Sequence, residues 1–185
     1  MIKWIAIGAM GFLFSCNLTE KEPEVLISEV DGDEYIVDME GEMNAKKATY
    51  LILKGKGEGI AYIHKRAISD SLHSNDSVWR LKYFEALNLI VSELDSIDIK
   101  YVGTNTFSYF LHYPQELLTQ LENKAFDNSE IWLEAMAKEY QNRTAPDDIT
   151  INSVINLAHK YCSTCSDEQK ELIIEFVEML SLYEE

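Results

Sequence analysis

The sequence predicts a mostly α-helical fold, either an antiparallel helical bundle or a stack of helix pairs, with a short β-hairpin near its N-terminus. Apolar residues recur at three- and four-residue steps over most of the chain after residue 44, as on one face of a helix. Capping residues and prolines divide this stretch into helix-sized segments. The apolar fraction of 46% is ordinary for a globular domain with a packed core.

The first elements of the predicted domain are a hairpin and a helix. Apolar runs at 25–30 and 35–39 flank Asp31-Gly32, which is a two-residue hairpin signal. The next run, 45–54, contains β-branched residues and also a helical stripe, so its pattern allows helix or strand. We favour helices from about Asn44 onward, with a break at the alternating glycines of 55–59.

The middle of the chain has a clear helical pattern. Asn75-Asp76-Ser77 offers an N-cap, and the apolar positions from Val78 to Leu94 predict an amphipathic helix of about five turns. We expect Gly103 to interrupt the next helical stretch, which resumes and ends at Tyr113.

Four further helix starts are predicted in the C-terminal third of the chain. Pro114 suits the first turn of a helix, and residues 127–130 and 146–148 resemble helix starts. Ser166 and Gln169 match a capping box. The apolar stripe that follows them predicts a last helix packed against other helices, and it consists of Leu172, Ile173, Phe176, Val177 and Leu180.

The first fifteen residues have the pattern of a secretory signal. Lys3 is followed by an uncharged apolar run from Trp4 to Phe14. This run has no polar face for an amphipathic helix, and it is shorter than the roughly 20 residues that span a bilayer. We therefore predict an export segment that is removed.

Leu13-Phe14-Ser15-Cys16 resembles the lipobox of bacterial lipoprotein precursors. The resemblance covers the first sixteen residues, and it implies lipid transfer to the Cys16 thiol, cleavage before Cys16 and acylation of the new amine. Two or three acyl chains hold a protein stably on a membrane at ~0.8 kcal/mol per buried CH₂. The resemblance thus implies a lipid-anchored protein of the bacterial cell envelope, and Asn17, in place of Asp, favours the outer membrane.

The predicted mature chain has two parts. Residues 16–24 form a lipidated cysteine and an acidic tether, similar to the tethers of surface-exposed lipoproteins, which leaves a periplasmic or a surface location open. Residues 25–185 form a single, mostly helical domain, since their length matches one domain.

Charge restricts the possible partners of the mature chain. Without Lys3 it carries 15 basic and 32 acidic side chains, a formal charge of −17. We expect no nucleic-acid binding, since little positive charge is available to neutralise phosphates. Anionic lipid headgroups are disfavoured as well, so the lipid is the expected membrane attachment. A basic protein partner is compatible with this charge.

His159, Cys162 and Cys165 form the most reactive-looking cluster in the sequence. A disulfide between Cys162 and Cys165 is the favoured interpretation, because thiols outside the cytoplasm tend to oxidise. Free thiols and a metal site with His159 are the alternatives, although a fourth ligand is missing nearby.

Two functions follow from the sequence as hypotheses. The first is a protein-binding module, inhibitor-like or immunity-like, with an acidic surface for a basic partner. The second is an envelope enzyme or metal-handling protein that uses His159, Cys162 and Cys165. We predict no catalytic residues and no bound cofactor. Four aromatic residues are expected to line a recognition surface, namely Trp79, Tyr109, Tyr113 and Tyr140.

Overall fold

The computed structural model describes residues 24–27, 34–37, 41–122, 128–144 and 150–183, and it confirms the mostly α-helical fold. In this part of the chain, eight α-helices pack on one another as a bundle. They are α1 (Ala45–Leu53), α2 (Tyr62–Asp70), α3 (Ser77–Ile90), α4 (Ser96–His112), α5 (Pro114–Glu122), α6 (Ser129–Thr144), α7 (Ile151–Tyr161) and α8 (Asp167–Leu182). Short 3₁₀ turns, Ser71–His73 and Val91–Glu93, follow α2 and α3.

Two strands precede the helices. β1 (Glu24–Ile27) and β2 (Glu34–Val37) pair in antiparallel register, with Ile27 opposite Glu34. The remaining residues of the two predicted segments, 28–30 and 38–39, lie outside the described residues. The predicted turn at Asp31-Gly32 lies outside the described residues.

Helix capping follows the sequence closely. The Asn44 side chain accepts a hydrogen bond from Lys47 N at the start of α1, which settles the segment at 45–54 as a helix. Asp76 caps α3, which ends at Ile90, earlier than the pattern predicts. Ser166 and Gln169 form the predicted capping box of α8.

The prediction of a break at Gly103 is wrong, because α4 runs without interruption from Ser96 to His112. The glycine serves packing between helices instead. A Cβ atom at this position would lie 2.7 Å from the carbonyl oxygen and 3.0 Å from the Cβ of Ala135 in α6. A side chain at position 103 would therefore push the two helices apart.

All eight helices contribute to one hydrophobic core, and α4 lies at its centre with α2, α5, α6 and α7 against it. Aromatic rings connect the helices. Phe84 of α3 contacts Trp132 of α6 at a centroid distance of 5.0 Å, and Phe110 of α4 contacts Phe176 of α8 at 4.9 Å. Buried Trp132 also donates a hydrogen bond to Asn88 Oδ1, at 3.1 Å. These contacts hold α6 against α3 and α8 against α4.

Candidate functional site

The turn between α7 and α8 brings Cys162 and Cys165 together. Their Cα atoms lie 5.2 Å apart, within the span that a disulfide requires, and their Sγ atoms are in bonding contact. Both side chains are buried. This geometry supports the disulfide interpretation. The predicted lipidation site, Cys16, lies outside the described residues.

His159 does not join the two cysteines in a metal site. Its Nε2 atom lies 3.1 Å from the carbonyl oxygen of Lys170 in α8. Because a carbonyl oxygen only accepts hydrogen bonds, Nε2 is the donor and is occupied in this contact. Across the described ranges, no group of three or more His, Cys, Asp and Glu side chains is arranged to hold a metal ion.

The prediction that four aromatic residues line a recognition surface is largely wrong. Trp79, Tyr109 and Tyr140 are buried in the hydrophobic core, and Tyr113 packs half-buried against it. These rings lie where helices meet, because a large apolar ring is more stable there than in water. Exposed tyrosines occur elsewhere, on α2, α4 and α7.

An ion pair between buried Arg80 and partly buried Glu116 joins α3 to α5, and we call it the Arg80 junction. Arg80 Nε lies 3.1 Å from Glu116 Oε2, and Nη2 lies 2.6 Å from Oε1. Arg80 also donates to the Ser74 carbonyl oxygen at 2.5 Å, and its guanidinium carbon lies 3.7 Å from the ring centroid of Tyr113. The Tyr109 hydroxyl donates to Glu116 Oε2 at 2.9 Å.

Arg80 keeps its positive charge near neutral pH. Burial acts to lower the pKa of Arg80, but the hydrogen bonds and the charge of Glu116 outweigh it and raise that pKa. Burial and the nearby carboxylate raise the pKa of Tyr109 far above its ordinary value. Neither group exchanges protons at pH 7, so we assign the junction a structural role.

An apolar groove lies between α5, α6 and α8, with a volume of about 310 Å³. We call it the α5–α8 groove. Its walls are mainly aliphatic, and Leu172 and Met179 of α8 are 37% and 42% exposed. The lining residues are Leu118, Leu121, Glu122, Ser129, Leu133, Leu172, Glu175, Phe176 and Met179.

A smaller hollow continues the α5–α8 groove towards the start of α8. It shares Leu118, Glu122 and Leu172 with the main groove and reaches Gln169. From Gln169 to Met179, α8 rises by about 15 Å. The groove is therefore an elongated surface feature along α8 and α5.

The edges of the α5–α8 groove are acidic. Every exposed side chain of α8 is either acidic or apolar: Asp167, Glu168, Glu171, Leu172, Glu175, Glu178, Met179 and Leu182. Glu122 is exposed at the end of α5, on the opposite side of the groove. No lysine or arginine occurs among the described residues that line it. The groove thus combines apolar walls with negative charge on both sides.

The spacing of apolar residues in α8 also contains a signal for the α5–α8 groove. The predicted packing stripe of α8 includes Leu172, but this residue is 37% exposed and is not among the buried residues of the helix. Leu172, Met179 and Leu182 are spaced by seven and three residues, so they share a second apolar face of the helix. A second apolar stripe on one helix indicates a second contact surface, but the sequence alone does not show what packs against it.

A second surface cluster surrounds Arg66 on α2, and we call it the Arg66 patch. The Arg66 guanidinium carbon lies 5.0 Å from the ring centroid of Tyr62 and 4.9 Å from that of Tyr101 in α4. Its Nη2 atom pairs with Asp98 Oδ1 at 2.9 Å. Ile97 is 68% exposed beside Asp98. Because Arg66 already has these partners, the patch is preorganised.

Two histidines lie close together near α7: His73 in the 3₁₀ turn after α2, and His112 at the end of α4. The rings of His73 and His112 are 6.2 Å apart, and His112 contacts Tyr161 of α7 at a centroid distance of 4.7 Å. Partial burial and the neighbouring His112 lower the pKa of His73, while Asn105 and Asp70 oppose this shift. The two histidines therefore lie at the surface, where the end of α4 contacts α7 and the turn after α2.

Comparison of the chain with protein-family models, with curated proteins and with solved structures returned no match. Within the described ranges, none of the helices combines the length and the apolar character needed to cross a membrane.

Proposed function

We propose that the mature protein is a lipid-anchored component of the bacterial cell envelope that binds a basic protein, in an inhibitor-like or immunity-like role. The observation that carries this proposal is the exposed face of α8, whose side chains are acidic or apolar beside an apolar groove. Apolar area provides binding energy, and surrounding charge selects the partner.

The charge of the predicted mature chain supports the same partner. A formal charge of −17 creates a negative field that attracts a cationic protein before contact and repels an anionic one. Such steering raises association rates at low salt. The lipobox resemblance at Cys16 adds a location, because a membrane tether would restrict this field to the cell envelope.

The location is tested with the full precursor expressed in a bacterium that processes lipoproteins. We expect the mature protein to fractionate with membranes and to take up labelled palmitate, whereas Cys16→Ser stays unlabelled and full-length. Unlabelled wild-type protein in the cytosol, still starting at Met1, would refute the anchor.

The partner is tested by capture from envelope extracts of the source bacterium on the purified mature protein. We expect a basic protein that is retained at about 50 mM salt and released at about 500 mM, where charge screening is nearly complete. Recovery of acidic proteins only, or binding that does not respond to salt, would contradict a charge-selected partner.

A further inference from the structure

We infer that the α5–α8 groove binds an amphipathic α-helix whose apolar stripe is bordered by lysine and arginine side chains. This inference rests on the proposed function, and it names the site and the form of the basic partner. The apolar walls, the length of the groove and the charge on both of its sides each contribute to it.

The dimensions of the groove match a short helix. About 15 Å along α8 corresponds to roughly ten helical residues, or three turns. Leu172, Phe176 and Met179 follow one another at four- and three-residue steps, and Leu118 and Leu121 oppose them from α5. A partner helix with apolar residues at positions i, i+4 and i+7 places its side chains between these two rows.

The charges around the groove set the flanks of that partner helix. Glu175 on α8 and Glu122 on α5 lie on opposite sides of the groove, and exposed Glu171 and Glu178 extend the acidic edge along α8. A helix seated on the apolar walls would have one flank near each acidic side. Lysine or arginine on both flanks would therefore be attracted, and acidic residues there would be repelled.

The same charges disfavour two other occupants. A second copy of this chain would bring another acidic α8 face, so like charges would meet across the interface. A fatty acyl chain would use the apolar walls but would gain nothing from Glu122 and Glu175. An amphipathic basic helix is the occupant that uses both properties of the site.

The experiment uses the full mature protein and a synthetic probe. The probe is a fluorescein-labelled 14-residue peptide with leucines at positions 1, 4, 8 and 11 and lysines beside them, and its matched control has glutamates in place of the lysines. Binding is followed by fluorescence anisotropy. We expect the lysine peptide to bind at least tenfold more tightly than the glutamate peptide.

Two pairs of variants locate the binding site. Leu172→Glu is matched by Ile97→Glu on the Arg66 patch, since both changes put a carboxylate on an exposed apolar position. Glu175→Lys is matched by Glu93→Lys, an exposed acid beyond α3. We expect about tenfold weaker peptide binding for Leu172→Glu and for Glu175→Lys, and a change below threefold for the two controls. Circular dichroism spectra verify that each variant keeps its helices.

Several outcomes would overturn the groove assignment. One is that the lysine peptide does not bind at about 100 μM. Another is that the groove variants and the control variants lose equal peptide affinity. A third is that the wild-type protein sediments as a dimer and that Leu172→Glu dissociates this dimer. If salt-sensitive capture of a basic protein persists in Leu172→Glu and Glu175→Lys, the proposed function stands and the groove assignment fails.

Discussion

Helix α5 takes part in two junctions of opposite character. On one side, Glu116 pairs with buried Arg80 of α3 and accepts a hydrogen bond from Tyr109. On another side, Leu118 and Leu121 face the α5–α8 groove and remain half-exposed. The Arg80 junction is closed and has its polar groups partnered, whereas the groove leaves apolar surface and carboxylates open to water.

This difference separates charges that hold the fold from charges that are available to a partner. A buried charge requires a partner, because its desolvation costs several kcal/mol. An exposed carboxylate such as Glu175 requires none for folding, and it has no ion-pair partner among the described residues. Substitutions on the closed side should therefore reduce stability, and substitutions in the groove should change binding only.

The largest effect is expected at the Arg80 junction. Arg80→Met should lower the free energy of unfolding by about 3 kcal/mol, since it leaves Glu116 partly buried without its cation. Urea denaturation measures this loss. The double variant Arg80→Met/Glu116→Leu serves as the control and should recover most of the stability, because no uncompensated charge remains. A single-variant loss below about 1 kcal/mol would show that the junction is not a determinant of stability.

The contact of α4 with α6 should give the next largest effect. Gly103→Ala should destabilise the protein by about 1–3 kcal/mol, because its Cβ would meet the backbone of Ala135, which cannot rotate away. Lys100→Ala, an exposed change on the same helix, should leave the unfolding midpoint almost unchanged. Equal midpoints for Gly103→Ala and wild type would mean that the helices separate at little cost.

The disulfide in the turn between α7 and α8 should give a smaller effect than the two helix contacts above. Cys162→Ser/Cys165→Ser should cost about 1–2 kcal/mol, because the disulfide closes a very short loop and restricts the unfolded chain little. Intact-mass measurement should show the oxidised protein ~2 Da lighter than the reduced one, since the bond replaces two thiol hydrogens. A native protein that labels fully with iodoacetamide before reduction would contradict the disulfide.

The smallest effect on stability should come from His73, because its side chain is exposed. Its pKa in the folded protein is lowered from about 6.5, the value expected in the unfolded chain. Between these two pKa values the unfolded state binds more protons, so stability decreases as the pH falls through this window and levels off below it. His73→Gln should remove this part of the pH dependence in urea titrations between about pH 7 and 5. If the stability of His73→Gln changed with pH as steeply as that of the wild type, His73 would be excluded as the source of this pH dependence.

Local sequence signals predicted the helices well. The side chains of Asn44, Asp76 and Ser166 bond to backbone amides within their own first turns, so each cap needs no information from the rest of the molecule. The apolar spacing of α8 identified its buried face for the same reason. In α3 the predicted stripe was mostly wrong, because only Phe84 and Leu87 of that stripe are among the buried residues of the helix. The disulfide geometry between Cys162 and Cys165 is also local, since three positions separate the cysteines.

Predictions that depended on neighbours from distant parts of the chain were less successful. The sequence predicts a helix break at Gly103, because the need for a small residue there becomes visible only when Ala135 lies against it. The surface position predicted for Tyr109 and Trp79 is wrong, because their burial depends on partners in other helices. The Arg66 patch was missed for the same reason, since Arg66 and Tyr101 are far apart in sequence.

By itself, the sequence determined the helical class, most of the caps and the acidic charge. Only the tertiary structure decided which apolar residues became core and which became the walls of the α5–α8 groove. The physical reason is that helix periodicity depends on residues three or four positions apart, whereas burial of a side chain depends on the helix that packs against it.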